Sequence, residues 1–246
     1  AALKYLQGRG VTRKTIEQFQ LGYSPAGGDA LKDELKKKGF SIQTLEECGL
    51  VKRSEDGNRA YDAFRERIMF PIADIQGRAV AFGARAMGDR APKYLNSPET
   101  KLYNKSRNLF GLNFSKEAIK AHDQAILVEG YMDFIIPFQY GVENLVASLG
   151  TSLTTQQVEL LGRYCRQVVV SYDPDSAGIV ATQRSLDLFL EGDFRVRVLR
   201  LPPGQDPDEF VRTVGPEGYQ TLALESVPYL DFVLEAAIQK QGVLDD

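Results

Sequence analysis

The stretch AILVEGYMDFIIPFQYG, residues 125–141, predicts a short buried strand followed directly by a helix. The same alternation continues with NLVAS (144–148) as a strand, TTQQVELLGRYC (154–165) as a helix and VVVSYD (168–173) as a strand. SAGIVATQRSLDLFLEG (176–192) then predicts an amphipathic helix, and RVRVLRL (195–201) an alternating strand at the sheet edge. Strands joined by helices predict an α/β unit with a doubly wound, mostly parallel four-stranded sheet.

The sequence before this unit predicts a different architecture. RIMFPIADIQGRAVAFGAR (67–85) indicates an antiparallel hairpin that turns at Gln76 and Gly77. Short helices broken by glycines are expected before it, and a long irregular segment (87–108) after it, of a kind that is usually functional or disordered. We therefore expect an α+β chain overall: a mixed subdomain in 1–122, the parallel sheet in 123–214, and a helical segment in 215–246 cut from a longer helical region.

Charge divides unevenly along the chain. Residues 1–122 hold 22 Lys and Arg against 14 Asp and Glu, whereas residues 123–246 hold 8 against 19. A basic half suits a polyanion and an acidic half suits cations, although charge for solubility produces milder asymmetry. The split therefore predicts two different tasks for the two halves.

Several classes of protein are disfavoured by composition. Cys48 and Cys165 have no second Cys or His at zinc-ligand spacing, so we expect neither zinc nor a disulfide framework. His122 is the only histidine, which argues against Ser-His-Asp chemistry. No apolar run is long enough to span a bilayer and no secretory signal is visible, so we expect a cytoplasmic protein without a membrane partner.

Acidic residues follow three of the predicted strands. These residues are Glu129, then Asp173 and Asp175, then Asp206 and Asp208. Clustered carboxylates repel one another unless a multivalent cation neutralises them, and oxygen-only ligands point to Mg²⁺ or Mn²⁺. An N-cap explains Asp175 equally well when it is taken alone, and a first-turn helix acid explains Asp133.

Two of these acidic stretches resemble a known domain. EGYMD (129–133) and DPDSAG (173–178) resemble the two signature motifs of the Toprim domain of primases and topoisomerases. FRERIMFPI (64–72), GRAVAFGAR (77–85), PKYLNSPET (92–100), SLGTSLT (148–154) and DPDEFVR (206–212) are similar to the RNA polymerase domain of DnaG-type bacterial primases. The resemblance covers residues 3–232. Pro174 stands where the family usually has glycine, which alters one backbone amide, and we expect the site to survive it.

The resemblance implies an activity: synthesis of short RNA primers from ribonucleoside triphosphates on single-stranded DNA, with Mg²⁺ as cofactor and Mn²⁺ as a substitute. It implies catalytic, metal-binding roles for Glu129, Asp173 and Asp175, with Asp133, Asp206 and Asp208 in the same acidic cluster. It places Arg9, Arg85, Lys93, Tyr94, Asn96 and Lys105 along the template groove.

Residues 78–107 hold seven basic and two acidic residues with Tyr94 and Tyr103 interleaved, a composition that suits single-strand binding. The replicative helicase and a zinc-ribbon domain are expected to act through other parts of a longer bacterial protein at the replication fork.

Three other functions stay open at this point. A topoisomerase or nuclease of the Toprim class would break phosphodiesters with the same carboxylates, but PKYLNSPET argues against it. A fragment that only binds DNA or nucleotides is compatible with the motifs. A dehalogenase-like phosphatase built on DPDSAG lacks the residues that such enzymes place around their nucleophile.

Overall fold

A computed structural model describes residues 1–88, 90–149, 153–171, 186–202 and 204–241. The chain forms two compact units, Ala1–Asn108 and Leu109–Asp246, each of which is described by itself below. The predicted functional divisions after residues 122 and 214 stay predictions. Within the described residues, no helix is long and apolar enough to cross a membrane.

Four short helices open the first unit. They are α1 (Ala2–Gly8), α2 (Arg13–Gln18), α3 (Ala30–Lys37) and α4 (Ile42–Glu47). Thr12 and Ser41 cap α2 and α4, because each side-chain oxygen accepts a hydrogen bond from a backbone N–H of the first turn. The buried carboxylate of Asp62 accepts two N–H groups at the start of α3, both at 2.8 Å. Polar side chains therefore fix where these helices begin.

Six strands complete the first unit, together with a 3-10 turn at Lys105–Arg107. The strands are β1 (Gly22–Ser24), β2 (Val51–Arg53), β3 (Ala60–Asp62), β4 (Arg67–Ala73), β5 (Ala79–Ala86) and β6 (Tyr94–Asn96). An antiparallel sheet has the order β1-β4-β5-β6, and β2 pairs with β3 alone. The predicted hairpin is confirmed as β4 and β5, since Asp74 accepts hydrogen bonds from the N–H groups of Gln76 and Arg78 and Gly77 has a φ of 85°.

The second unit alternates helices and strands. Its strands are β7 (Gln124–Val128), β8 (Leu145–Ala147), β9 (Gln167–Val170), β10 (Arg195–Val198) and β11 (Val227–Pro228). Its helices are α5 (Leu112–His122), α6 (Tyr131–Gln139), α7 (Thr155–Leu161), α8 (186–191), α9 (Pro207–Leu224) and α10 (Tyr229–Gln241). The sheet order is β11-β10-β9-β7-β8, with all pairs parallel except β10 with β11.

The predicted fold class is confirmed, with one correction to the sheet. It has five strands rather than four, and β10 is not the edge because β11 pairs antiparallel with it. β11 is only two residues long and includes Pro228, so it leaves no alternating pattern to detect. Thr154 and Gln157 form a capping box at the start of α7, with both of its hydrogen bonds present.

Burial explains why the central strands are apolar throughout. Ala125–Val128 in β7 and Val168–Val170 in β9 have no exposed surface. Parallel strands covered on both faces read as continuous apolar runs, which is the pattern that the sequence shows. These two adjacent strands form the buried centre of the sheet, and Glu129 follows the first of them.

Candidate metal centre and nucleic-acid interface

The acidic site begins where β7 and β9 end. The two strands pair in parallel with Leu127 beside Val170, and the N–H of Ser171 donates to the Leu127 carbonyl at 2.8 Å. Glu129, which follows β7, therefore leaves the sheet beside Ser171. Ser171 precedes Asp173 by two residues in the sequence.

The backbone of Glu129 is held by Leu149, which has a left-handed backbone conformation. The Glu129 carbonyl accepts a 2.9 Å hydrogen bond from the N–H of Leu149, whose φ is +62°. The left-handed conformation costs a leucine roughly 1–2 kcal/mol, and such strain persists only where the surroundings impose it. Leu149 is nearly buried, so packing supplies that constraint. The main chain at Glu129 is therefore fixed.

Asp133 has a local structural task. Its Oδ2 accepts a hydrogen bond from the N–H of Gly130 at 2.8 Å at the start of α6. A Cβ built on Gly130 would lie 2.8 Å from the same oxygen, so a larger residue there would force the Asp133 carboxylate to shift. The first-turn role expected for Asp133 is present, and its place in the acidic cluster stays a prediction.

Asp206 and Asp208 both belong to the start of α9. Asp206 is the N-cap, and its Oδ1 accepts from the N–H of Glu209 at 2.9 Å. Asp208 is fully buried, and its Oδ2 lies 3.1 Å from Nη2 of Arg212 one turn later. Both carboxylates thus stabilise the helix that presents them.

Asp173 and Asp175 lie outside the residues that the structure describes, as does Pro174. Among the described residues, no group of three or more His, Cys, Asp or Glu side chains is close enough to hold a metal ion. The carboxylate of Glu129, which follows β7, fits a hard divalent cation better than zinc. A complete ligand set would require the two aspartates that follow Ser171.

Three of the predicted template residues of the first unit lie on one sheet face. Arg85 in β5 pairs with Tyr94 in β6, and Gly83 pairs with Asn96. Residues directly opposite each other in an antiparallel pair share a face, as do residues two apart, so Arg85, Tyr94 and Asn96 lie on the same side. Tyr94 is 41% exposed.

Tyr5 packs against Arg85 on this face, and the sequence did not identify it as a functional residue. The guanidinium carbon of Arg85 lies 4.2 Å from the centre of the Tyr5 ring, and Nη1 of Arg85 donates to the Ala86 carbonyl. Tyr5 and Arg9 are one helical turn apart at the end of α1, so they share a helix face. The structure places Arg85 against the Tyr5 ring, while the backbone N–H of Arg9 donates to the Tyr5 carbonyl at 2.9 Å. No local sequence signal pointed to Tyr5, because its contact with Arg85 joins residues that are far apart in the chain.

Arg67 is a second residue that sequence reasoning missed. Its side chain is 3% exposed, and Nη1 donates to the carbonyls of Pro92 and Lys93 at 2.9 and 3.4 Å. Burial, and then the charge of Arg90, lower the pKa of Arg67. Among the described residues, no carboxylate forms an ion pair with Arg67. It fixes the chain that leads into β6, and its only sequence signal was a basic residue opening a buried strand.

The sequence predicted that Tyr94 and Tyr103 both suit single-strand binding, and the structure corrects this for Tyr103. Tyr103 is buried, and burial together with the charge of Glu99 raises the pKa of Tyr103 to about 12. Of the two interleaved tyrosines, only Tyr94 can therefore stack on a base. Lys105 begins the 3-10 turn, where its backbone N–H donates to Oε1 of Glu99 at 2.9 Å.

Comparison with known proteins adds to this geometry. Residues 1–116 match the family model of the DNA primase catalytic core, N-terminal domain, and residues 126–211 match a Toprim-like model. A crystal structure of a DNA primase domain from Pseudomonas aeruginosa is 37% identical, with a TM-score of 0.89 over 97% of this chain and 76% of that one. The chain belongs to the DnaG-type DNA primase catalytic cores.

Two further primases extend the comparison. The DNA primase of Clostridium acetobutylicum is 44% identical over 246 residues, which are 99% of this chain and 40% of that protein. A DnaG primase catalytic domain bound to single-stranded DNA is 38% identical, with a TM-score of 0.84 over 97% of this chain and 78% of that one. The chain thus spans about two fifths of the length of such curated relatives, but most of the length of the solved primase cores.

Membership in this family agrees with the two units seen in the structure. The antiparallel sheet and the basic face fall within the primase-specific match, and the parallel sheet falls within the Toprim-like match. The Toprim expectation drawn from EGYMD and DPDSAG is confirmed. The roles of individual site residues stay predictions.

Proposed function

We propose that the chain is the catalytic part of a bacterial DNA primase, which makes short RNA primers from ribonucleoside triphosphates on single-stranded DNA. One observation carries the proposal. β7 and β9 are adjacent, parallel and buried, and they end side by side at Glu129 and Ser171. In the sequence, the Asp173-Pro174-Asp175 motif follows Ser171 by two residues, which supports the proposal that acidic residues from two strands meet at one edge.

A divalent cation is the cofactor of this proposal. Glu129, Asp173 and Asp175 would hold it, while Asp133, Asp206 and Asp208 add negative charge to the same cluster. Carboxylate oxygens suit Mg²⁺, and Mn²⁺ accepts the same ligands. When bound, such cations activate a ribose hydroxyl and stabilise the departing pyrophosphate. The fixed main chain of Glu129 supplies a rigid first ligand.

Template binding is assigned to the basic face of the first unit. Arg9, Arg85, Lys93 and Lys105 would contact phosphates, Tyr94 would stack on a base, and Asn96 would donate a hydrogen bond. The bidentate geometry of arginine suits phosphate oxygens, which gives Arg85 the leading role. A similar primase core that has been solved with single-stranded DNA supports this assignment.

The wider biology follows from the same proposal. Template binding belongs to residues 1–122, cation binding to residues 123–214, and residues 215–246 join a helical region. A zinc-ribbon domain and the replicative helicase would act through parts of a longer protein. The proposed location is the cytoplasm at the replication fork.

The test is ribonucleotide incorporation on labelled single-stranded DNA with Mg²⁺ or Mn²⁺. We compare the wild type with Glu129→Gln, and use Glu143→Gln as the control because Glu143 is exposed in the same unit. Primers should vanish in Glu129→Gln and persist in Glu143→Gln. DNA binding should be retained in both, because the basic face is unchanged.

Other outcomes select the alternatives. Primer synthesis that survives Glu129→Gln would overturn the ligand assignment. DNA cleavage without synthesis would favour a Toprim nuclease, and DNA binding alone would favour a binding fragment.

A further inference from the structure

β6 carries two of the predicted template residues, Tyr94 and Asn96. The strand is three residues long and lies at an edge of the antiparallel sheet, where among the described residues it pairs with β5 alone. Three residues supply few ladder hydrogen bonds, and a segment held by few such bonds opens at little cost in free energy. A strand this short therefore needs further support to hold its two side chains in place.

Arg67 supports the start of β6. Its Nη1 donates to the carbonyls of Pro92 and Lys93, at 2.9 and 3.4 Å, and these two residues directly precede Tyr94. The N–H of Ala86 donates to the same Lys93 carbonyl at 2.9 Å. The chain that enters β6 is therefore held from β4 as well as from β5.

Ser97 supports the end of β6. Its N–H donates to the Phe82 carbonyl at 2.8 Å, and its Oγ accepts from the N–H of Phe82 at 3.0 Å. Ser97 is 5% exposed, so water competes little for these hydrogen bonds. One residue thus pairs with both main-chain polar groups of Phe82, directly after Asn96.

Arg67 lies away from the proposed template face. Arg67 is directly opposite Ala86, whereas Ile68 is opposite Arg85, which in turn is opposite Tyr94. Neighbouring residues of a strand point to opposite sides of the sheet, so Arg67 is on the side opposite Arg85 and Tyr94. Its side chain, 3% exposed, can hold the strand but is not placed to contact DNA that binds at Tyr94.

Fixing β6 before DNA arrives has a consequence for affinity. Ordering side chains and loops on binding costs free energy, and a preorganised surface avoids that cost. The guanidinium of arginine is a planar fork, so its contacts with two successive carbonyls fix the direction of the chain as well as its position. Arg67 and Ser97 thus supply the order that three strand residues alone do not.

We propose that Arg67 and Ser97 are positioning residues for template binding. They hold the two ends of β6 so that Tyr94 and Asn96 meet the DNA strand in a fixed orientation. This inference rests on the proposed function, which assigns Tyr94 and Asn96 to the template. It adds two residues that act through β6.

Single-stranded DNA affinity, measured by fluorescence anisotropy at fixed salt, tests the proposal. Tyr94→Ala removes the stacking ring and should raise the Kd about fivefold or more. Ser97→Ala changes no charge and should raise the Kd about two- to fivefold, because the ring is less well ordered. Arg67→Met should act in the same direction. Amide hydrogen exchange of residues 94–96 in the free protein should be faster in Ser97→Ala and Arg67→Met.

A double variant and a control separate positioning from stability. The losses of affinity in Ser97→Ala and Tyr94→Ala should not add, because the first acts through the second. Asp62→Ala is the control, since Asp62 is buried and accepts the N–H groups of Leu31 and Lys32 in another part of the same unit. It should lower the unfolding temperature without changing DNA affinity or the exchange of residues 94–96.

The opposite results overturn the proposal. Wild-type affinity in Ser97→Ala and Arg67→Met, beside weakened binding in Tyr94→Ala, would show that the strand needs no such support. Fully additive losses, or an equal loss in Asp62→Ala, would mean that Ser97 does not act through Tyr94. If Tyr94→Ala itself binds DNA like the wild type, the proposed function fails at this face, and the positioning role falls with it whatever the exchange rates show.

Discussion

The two compact units bury a charged side chain in opposite ways. In the first unit, Arg67 is 3% exposed and donates to two main-chain carbonyls, with no carboxylate of the described residues in ion-pair distance. In the second, Asp208 is fully buried and forms an ion pair with the guanidinium of Arg212. One unit satisfies a buried charge with neutral dipoles, and the other with an opposite charge.

The difference bears on what each unit can bind. Holding Arg67 with carbonyls cancels none of its positive charge, so the first unit keeps a basic potential that suits a polyanion. The pairing of Asp208 with Arg212 balances its negative charge locally. An ion pair of this kind makes Asp208 a weaker candidate for holding a cation than a carboxylate without a cationic neighbour. Glu129, half-buried at the end of β7, stays a predicted ligand.

Arg212→Met should produce the largest effect. It removes the cation that is paired with Asp208, whose side chain has no exposed surface, and breaking a buried ion pair by removing one partner is strongly destabilising. We expect a loss of about 3 kcal/mol in the free energy of unfolding, measured by urea denaturation. The control is Arg195→Met, because Arg195 is 74% exposed in its pair with Asp123 and such pairs contribute little. Equal losses in both variants would contradict the special role of burial.

Arg67→Met tests the other side of the comparison. The Lys93 carbonyl keeps its hydrogen bond from the N–H of Ala86, so the Pro92 carbonyl is the acceptor that loses most. We expect a loss of about 2 kcal/mol, smaller than for Arg212→Met, because no charge is left without its partner. Arg13→Met, at an 89% exposed side chain, should change stability little. A larger loss for Arg67 than for Arg212 would reverse the comparison.

Features that depend on neighbouring residues in the sequence were predicted, whereas contacts between distant residues were not. Continuous apolar runs in β7 and β9, and the turn at Gly77, are local signals, and they predicted the parallel sheet and the hairpin. Arg67 contacts carbonyls about 25 residues away, and Arg85 contacts Tyr5 across most of the first unit. No local pattern records such pairings, so these two supports of the basic face were missed.

For the acidic site, the sequence predicted where the carboxylates lie along the chain but not the hydrogen bonds that they form. The sequence located carboxylates at strand ends, because parallel strands place their carboxyl ends at one edge. It could not show that Asp206 caps α9 or that Asp133 accepts from Gly130, since each geometry depends on where the helix begins. Asp173 and Asp175, the strongest sequence predictions, lie outside the described residues and stay predictions.

Asp206 allows the two roles of one carboxylate to be separated. Asp206→Ala removes the N-cap of α9 and should cost about 1 kcal/mol of unfolding free energy. Asp206→Ser keeps a capping oxygen and should restore most of that stability. If Asp206 also adds charge to the cation site, both variants should need more Mn²⁺ for half-maximal activity. Wild-type Mn²⁺ dependence in Asp206→Ser would leave Asp206 with the capping role alone.

Tyr5→Leu should have the smallest effect, and it probes how the basic unit aims its charge. The Tyr5 ring holds the Arg85 guanidinium at 4.2 Å, and an interaction of this kind contributes about 0.5–1 kcal/mol. We expect single-stranded DNA affinity to fall about two- to fivefold, measured by fluorescence anisotropy at fixed salt. Tyr5→Phe keeps the ring face and should bind like the wild type. If Tyr5→Phe binds as weakly as Tyr5→Leu, the hydroxyl rather than the ring is responsible, and the stacking explanation fails. Arg85 keeps its charge in both variants, so the salt dependence of DNA binding should stay unchanged. A reduced salt dependence would instead indicate that a phosphate contact has been lost.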